Sequence, residues 1–161
     1  MNKYTFFWKK DSIFSQWYPC NFNVNNINFN CAEQFMMYRK ALLFQDKEAV
    51  KRILNSREPE EQKRIGQEVK GYRDDVWIPQ REVIVYEGNY AKFTQNPELY
   101  MNLMLTQGTI LVEASPKDTI WGIGLSADDP RAQDEKSWKG QNLLGKILTK
   151  LREDFIVKLK Q

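Results

Sequence analysis

The stretch Phe22-Asn23-Val24-Asn25-Asn26-Ile27-Asn28-Phe29 alternates apolar and polar side chains on both sides of an Asn-Asn pair. A two-residue period places the apolar members on one face of a strand, and an Asn-Asn centre supplies the positive φ angles of a tight primed turn. The segment is expected to be a hairpin. From Cys31 the period changes. Ala32, Phe35, Met36, Leu42 and Leu43 fall on one helical stripe, with Asn30 placed to cap the helix and Glu33 three residues on, as in a capping box. A chain that makes this switch is expected to mix helix and strand.

The remaining punctuation agrees. Tyr4, Thr5, Phe6, Phe7 and Trp8 read as β. Asp46 is placed to cap a short helix through Ala49, Val50, Ile53 and Leu54. Pro59 fits a first helical position, and Gly71 the stop after Ile65 and Val69. Pro79 is expected to open a further helix, with Val83, Tyr86, Tyr90 and Phe93 in step, although the β-branched run Val83-Ile84-Val85 argues the other way. Asn96-Pro97-Glu98 reads as a cap, and Gly108 as the end of that helix. Residues 109–113 and 120–125 read as short strands. Asn142 is expected to start a long helix, with Leu144, Ile147, Leu148, Leu151, Phe155 and Leu159 inward. With no linker and no internal repeat in 161 residues, the expectation is one α+β domain over 1–161, rich in helix with short strands.

Composition matters most for what it removes. The chain has no histidine, which excludes Ser-His-Asp and Cys-His nucleophiles and histidine-based zinc hydrolysis. Acid–base work falls to Asp, Glu, Lys, Tyr or Cys. Two cysteines, Cys20 and Cys31, are neither a disulfide framework nor a zinc site. No metal and no cofactor are expected. The net charge of +3 comes from basic residues interleaved with acidic ones, so it does not demand a nucleic-acid partner. No apolar run is long enough for a membrane span, and the first residues lack a signal-peptide layout. A cytoplasmic monomer is the expectation.

Three groups of residues carry candidate chemistry. Glu33, Met37 and Lys40 share a helix face beside the buried stripe, so a carboxylate and an ammonium could meet a cleft; the plainer alternative is a capping glutamate and a solvated lysine. The run Glu113-Ala114-Ser115-Pro116-Lys117-Asp118-Thr119-Ile120-Trp121-Gly122-Ile123-Gly124 sets Asp118 before a tryptophan flanked by glycine, where a ligand can approach the backbone; the alternative is a turn aspartate beside a core tryptophan. Trp138-Lys139-Gly140-Gln141-Asn142-Leu143-Leu144-Gly145 runs a glycine-containing loop into a helix start, a natural anion site, though helix caps commonly look like this. Trp17, Tyr18 and Trp77 offer rings for stacking on a base, or are simply core.

Taken in order, Phe14-Ser15-Gln16-Trp17-Tyr18-Pro19, Phe29-Asn30-Cys31-Ala32-Glu33-Gln34-Phe35-Met36 through Lys40-Ala41, Gly88-Asn89-Tyr90-Ala91-Lys92-Phe93-Thr94-Gln95-Asn96-Pro97, Leu111-Val112-Glu113-Ala114-Ser115-Pro116-Lys117-Asp118 with Trp121-Gly122-Ile123-Gly124, and Trp138-Lys139-Gly140-Gln141-Asn142 resemble the motifs of NADAR proteins. That family includes YbiA-type enzymes, which cleave N-glycosidic bonds in early riboflavin-pathway intermediates. It also includes enzymes that remove ADP-ribose from guanine in nucleic acid. The resemblance implies that Glu33, Lys40, Asp118 and Trp121 line the active site, with Glu33, Lys40 and Asp118 as the catalytic groups. It implies ligand contacts from Ser15, Trp17, Tyr18, Trp77, Gly122 and Asn142. It also implies an ADP-ribose-like or ribosylamine substrate, with ADP-ribosyl-guanine in DNA or RNA as the first expectation and a ribosylaminopyrimidine phosphate as the second. Gln16, Gln34 and Gln67 depart from the commoner pattern, the last where an arginine is frequent.

Breaking a ribosyl C–N bond needs negative charge near C1′, a proton for the leaving nitrogen and a water. Glu33 and Asp118 are the available carboxylates. Lys40 offers a second route, as a nucleophile on the imine of an opened ribosylamine. A non-catalytic ADP-ribose-binding module, or an interaction protein with no small-molecule site, are the rival classes.

Overall fold

The computed structural model describes residues 2–161. In chain order the elements are β1 (Tyr4–Phe7), β2 (Phe22–Val24), β3 (Ile27–Phe29), α1 (Ala32–Leu43), α2 (Lys47–Asn55), α3 (Pro59–Gln67), α4 (Asp74–Thr94), α5 (Pro97–Met104), β4 (Ile110–Glu113) and α6 (Leu143–Leu159). Two short 3₁₀ turns, Pro130–Gln133 and Glu135–Ser137, precede α6. The result is the helix-rich α+β chain expected. It groups into two compact units, one of residues 16–96 and one built from the N-terminal residues to Ser15 together with Pro97–Gln161. Among the described residues no helix is long and apolar enough to cross a membrane.

The 16–96 unit is a helical cluster around α1, which packs against α2, α3 and α4. The hairpin forms as its sequence demands. β2 and β3 pair antiparallel with Phe22 opposite Phe29, and Asn25 and Asn26 take φ of 51° and 66°. Its apolar face carries Phe22 and Phe29 into an aromatic cluster with Phe35, ring centres 5.1–6.2 Å apart, where such rings add to the plain burial. Glycine lets two helices come close to α1. A Cβ on Gly66 of α3 would collide with the Met37 side chain, and one on Gly88 of α4 would lie 2.6 Å from the Phe35 ring.

Several details of this unit differ from expectation. Cys31, not Asn30, is the N-cap of α1, and its side chain makes no capping bond. The box closes differently: Gln34, rather than Glu33, accepts from the Asn30 amide at 2.8 Å. Leu42 is exposed in the last turn of α1, which ends one residue later. Asp46 does cap α2, accepting from the Ala49 amide at 3.0 Å, and Pro59 does open α3. Pro79 does not open α4. The helix starts at Asp74, and Pro79 lies inside it near the N-terminal end. Val83 and Tyr90 face solvent, and the buried side is Ile84, Val85, Gly88, Asn89, Lys92 and Phe93. Shifting the helix start by five residues and burying polar groups moved the face that apolar periodicity selects.

The other unit joins β1 to β4 in a parallel pair, Tyr4 opposite Ile110 and Phe7 opposite Glu113. α6 packs on β4, burying Leu144, Ile147, Leu148, Leu151 and Phe155, while Leu159 is exposed in the last turn. Gly145 makes that packing possible, since a Cβ there would strike the Leu111 carbonyl and the Asn142 side chain. Arg152 of α6 is buried. Its guanidinium donates to the carbonyls of Thr106 at 2.8 Å and Thr109 at 2.6 Å, closing the loop that follows α5. Residues 120–125 are not a strand. Ile123 and Leu125 are buried as a strand's would be, but their stretch is held by loop bonds. The Ile123 amide donates to the Glu113 carbonyl at 3.0 Å, and the Ile123 and Gly122 carbonyls accept from Lys139 and Asn142 at 2.9 and 3.0 Å.

Candidate functional site

In the 16–96 unit the candidate chemistry sits on α1. Glu33 occupies its first turn and is only 4% exposed. Its backbone amide donates to the Gln16 carbonyl at 2.9 Å, which ties the helix start to the incoming chain. Gln16 is fixed in turn, its side-chain oxygen accepting from Asn89 Nδ2 at 2.8 Å. Two turns along, Lys40 is half-buried. Its Nζ lies 4.7 Å from the centre of the Tyr72 ring and 5.6 Å from that of Trp77. Burial lowers its pKa from the ordinary lysine value, and the Glu33 charge opposes part of that shift. A buried carboxylate thus acts electrostatically on a lysine lodged against two aromatic rings. Trp77 is 7% exposed. Tyr72, which the sequence reading did not single out, completes the lysine's surroundings.

The departures at Gln34 and Gln67 have different fates. Gln34 is buried, and its Nε2 donates to the carbonyls of Ile53 at 3.0 Å and Ser56 at 3.2 Å, satisfying the C-terminal end of α2. Its role is structural. Gln67 is exposed and lines an open cleft of about 630 Å³ with Trp17 and residues at the start of α3. Trp17 and Tyr18 are half-buried. Tyr18 borders Lys92, whose Nζ stands 5.8 Å from its ring.

Lys92 was invisible to sequence reasoning. It is wholly buried, and burial brings its pKa down to about 8, against partial support from Cys20 and Cys31. Burial pushes the Cys31 thiol up to about 12, so Cys31 is no nucleophile; it donates to Gln62 Oε1 at 3.1 Å.

In the other unit Asp118 is half-buried and orders its own loop. Its Oδ1 accepts from the amides of Ile120 at 2.9 Å and Trp121 at 2.8 Å. One carboxylate oxygen is thus committed to an Asx turn. Trp121 is half-buried at the tip of that turn, while Gly122 is buried. A Cβ on Gly122 would lie 2.9 Å from the Glu113 carbonyl, so this glycine serves close backbone packing. Asn142 is the N-cap of α6, in the left-handed region at φ 52°. It is fully buried, accepts from the Glu113 amide at 2.9 Å and donates to the Leu111 carbonyl at 3.0 Å. Both ends of its side chain are thus hydrogen-bonded to β4. Ser15 is buried at the end of the N-terminal segment. Among the described residues, no group of three or more His, Cys, Asp or Glu side chains is placed to hold a metal.

Comparison with known proteins follows the same lines. The NADAR domain pattern matches residues 6–156. An N-glycosidase of Acanthamoeba polyphaga mimivirus is 44% identical over 147 residues, covering 88% of this chain and 86% of that protein. A chloroplastic riboflavin biosynthesis protein of Arabidopsis thaliana is 31% identical over 113 residues, covering 68% of this chain but only 17% of that longer protein. The solved structure of YbiA from E. coli superposes with a TM-score of 0.81 at 24% identity, covering 100% of this chain and 90% of that one, a likeness of fold. With the family pattern running over residues 6–156 and a relative 44% identical over 88% of its length, the chain belongs to the NADAR family.

Proposed function

We propose that this protein is an N-glycosidase acting on a ribosylamine-type small molecule or modification, through Glu33 and Lys40. The observation that carries the reading is the setting of Lys40: an amine half-buried against Tyr72 and Trp77, its pKa lowered by burial, with the nearly inaccessible Glu33 acting on it. Surface lysines have no such surroundings, and a lowered pKa is what a lysine nucleophile needs at neutral pH. The N-glycosidase and riboflavin-biosynthesis names of its relatives support the same class of reaction.

The chemistry balances as follows. A ribosylamine opens when the C1′–O4′ bond breaks, O4′ takes a proton and the nitrogen lone pair forms a C1′=N imine. The neutral Lys40 amine adds to C1′. The base departs as a free amine, taking a proton, and leaves C1′ joined to Lys40 as a new imine. Water hydrolyses that imine to the aldehyde sugar and restores the lysine. Glu33 is the group that moves protons in these steps. Direct attack of water on C1′, with Glu33 as acid–base, is the second reading. Of the two substrate classes, ADP-ribosylated guanine stands first and a ribosylaminopyrimidine phosphate second.

The test is a product assay with both substrates side by side, guanine-ADP-ribosylated DNA and a ribosylaminopyrimidine phosphate, followed by chromatography of the released base and sugar. Release of free ribose-bearing product from either supports the reading. No cleavage of both by folded protein overturns it.

A further inference from the structure

Cys20 and Cys31 have no part in the glycosidase reading, yet the fold sets them together. Each lies two residues outside the stacked Phe22–Phe29 pair of the hairpin, Cys20 before β2 and Cys31 after β3. Carried two steps outward, the register of Phe22 with Phe29 places Cys20 opposite Cys31. The backbone follows that course. Cys31 is extended, at φ −170° and ψ 164°, and the Cys20 amide donates across to the Asn30 carbonyl at 3.1 Å. A two-residue step keeps a side chain on the same face of a strand, so both thiols lie on the side that buries Phe22 and Phe29. Opposed residues of antiparallel strands have Cα atoms about 4.5–5.5 Å apart, within the roughly 4.4–6.8 Å that a disulfide spans. Both cysteines are free thiols.

A third group completes the cluster. Lys92 of α4 is wholly buried and acts electrostatically on both thiols. Burial raises the Cys20 pKa, and the Lys92 charge opposes that rise. Cys20 is half-buried, whereas Cys31 is buried and donates to Gln62 Oε1 at 3.1 Å. The two sulfurs therefore differ in the way a redox pair needs. One is accessible and lies near a cation, so an oxidant meets it first. The other is hidden beside it, placed to resolve the oxidised sulfur before it goes further.

We propose that Cys20 and Cys31 form a peroxide-responsive disulfide, a reversible oxidation site at the start of the helix that carries Glu33. The Cys20 sulfur attacks one oxygen of hydrogen peroxide and the O–O bond breaks. The hydroxide released takes the Cys20 proton and leaves as water, and Cys20 is now a sulfenic acid. Cys31 has no thiolate of its own, so its proton passes to the neutral form of the Lys92 amine as its sulfur attacks the Cys20 sulfur. The S–O bond breaks, and the departing hydroxide collects that proton from Lys92 as a second water. Two electrons pass from the thiol pair to the peroxide, and two thiols with one peroxide give one disulfide and two waters. The bond ties the N-cap of α1, two residues before Glu33, to the segment that follows Trp17 and Tyr18. A thiol reductant reverses it.

The test is mass spectrometry of reduced, desalted wild-type protein treated with hydrogen peroxide. The tryptic peptide 11–39 holds both cysteines and no internal lysine or arginine. It is expected to become lighter by about 2 Da, the two hydrogens of the thiol pair. Both thiols should be lost together to maleimide labelling in urea and regained together after dithiothreitol. Chymotryptic cuts at Phe22 and Phe29 should leave the two halves joined. Cys31→Ser, or Cys31→Ala if the serine variant does not fold, is expected to stop Cys20 at a sulfenic acid that dimedone captures. Cys20→Ser is expected to leave Cys31 reduced under the same treatment. A mass gain that joins this peptide to the one bearing Lys92 would mark a nitrogen–oxygen–sulfur bridge and overturn the proposal. So would a bond between two copies of the chain, a sulfinic acid on one cysteine with the other still free, a Cys31 that oxidises without Cys20, or two thiols that both stay open to maleimide. These readouts need no turnover, so their failure and that of the glycosidase reading are separate results.

Discussion

Lys40 Nζ and the Tyr72 ring are 4.7 Å apart, with Trp77 at 5.6 Å from the same nitrogen, so one α1 lysine is shut in by two side chains from farther along the chain. Its lowered pKa, caused first by burial, gives the sign of the pH dependence: the reactive neutral amine gains population as pH rises, from a lower pH than a solvated lysine would allow. With substrate present, borohydride is expected to trap a covalent adduct on wild-type protein and none on Lys40→Met, read by intact mass. Lys40→Arg is expected to be as inactive as the methionine variant, since a guanidinium stays charged. An adduct that persists in both variants would remove Lys40 from the reaction.

Glu33→Gln keeps the size of a buried side chain and removes its proton chemistry. We expect turnover to fall by at least roughly a hundredfold, the scale for an acid–base group, while melting temperature stays close to wild type. Near wild-type turnover in the folded variant would exclude Glu33 as the proton carrier.

Asn142→Ala should act on stability. It leaves the buried Glu113 amide and Leu111 carbonyl unpaired, at about 1–3 kcal/mol for each group. For a chain of this size the melting temperature should drop by roughly 4–24 °C. A change under about 1 °C in a thermal melt would show that water replaces both bonds.

Lys92 gives a stability test with a defined sign. Its folded pKa of about 8 lies below the ordinary 10.5, so between those values the unfolded chain holds a proton that the folded one does not. Stability from this group therefore rises with pH across that window and is lost as pH falls through about 8. The full swing is about 3 kcal/mol. Lys92→Met should remove this slope, as measured by urea denaturation at pH 7.5 and pH 10; an unchanged slope would mean that the lysine is not the titrating group.

Activity should survive EDTA, because no metal-binding cluster exists among the described residues. Loss with the chelator and rescue by a divalent cation would show that substrate phosphates recruit an ion.

How far the sequence could be read depended on the kind of bond involved. The β2–β3 hairpin, the Asp46 cap, the Pro59 start and most of the α6 core stripe are written in local chemistry, and they appear where that chemistry puts them. Glu33 and Lys40 were legible because helical spacing alone sets them on one face. What escaped is held by distant partners. Gln34 was read as a departure from a motif, yet it closes the end of α2. The bonds from Asn142 to β4 had no local sign in the sequence either. Residues 120–125 have a strand's apolar pattern, but their carbonyls and amides are taken by the 138–144 loop and the Glu113 carbonyl. Lys92 sits on the helix face that apolar periodicity disfavours, and nothing local announces a buried amine.

The parallel pairing of Tyr4 with Ile110 and Phe7 with Glu113 also sets a clock for the newly made chain. β1 leaves the ribosome about 100 residues before its partner strand is translated, and at roughly 5–20 residues per second that is a wait of roughly 5–20 s. All of residues 16–96 emerge in that interval and can complete their own contacts, such as that of Asn89 with Gln16, before β1 can pair. Tyr-Thr-Phe-Phe meanwhile has an open edge and two aromatic faces, the kind of segment that pairs with whatever strand comes first. The N-terminal strand is therefore the point at which synthesis of this enzyme is most exposed to misassembly, and a slow stretch of translation before Ile110 would lengthen that exposure while one placed after α6 would not.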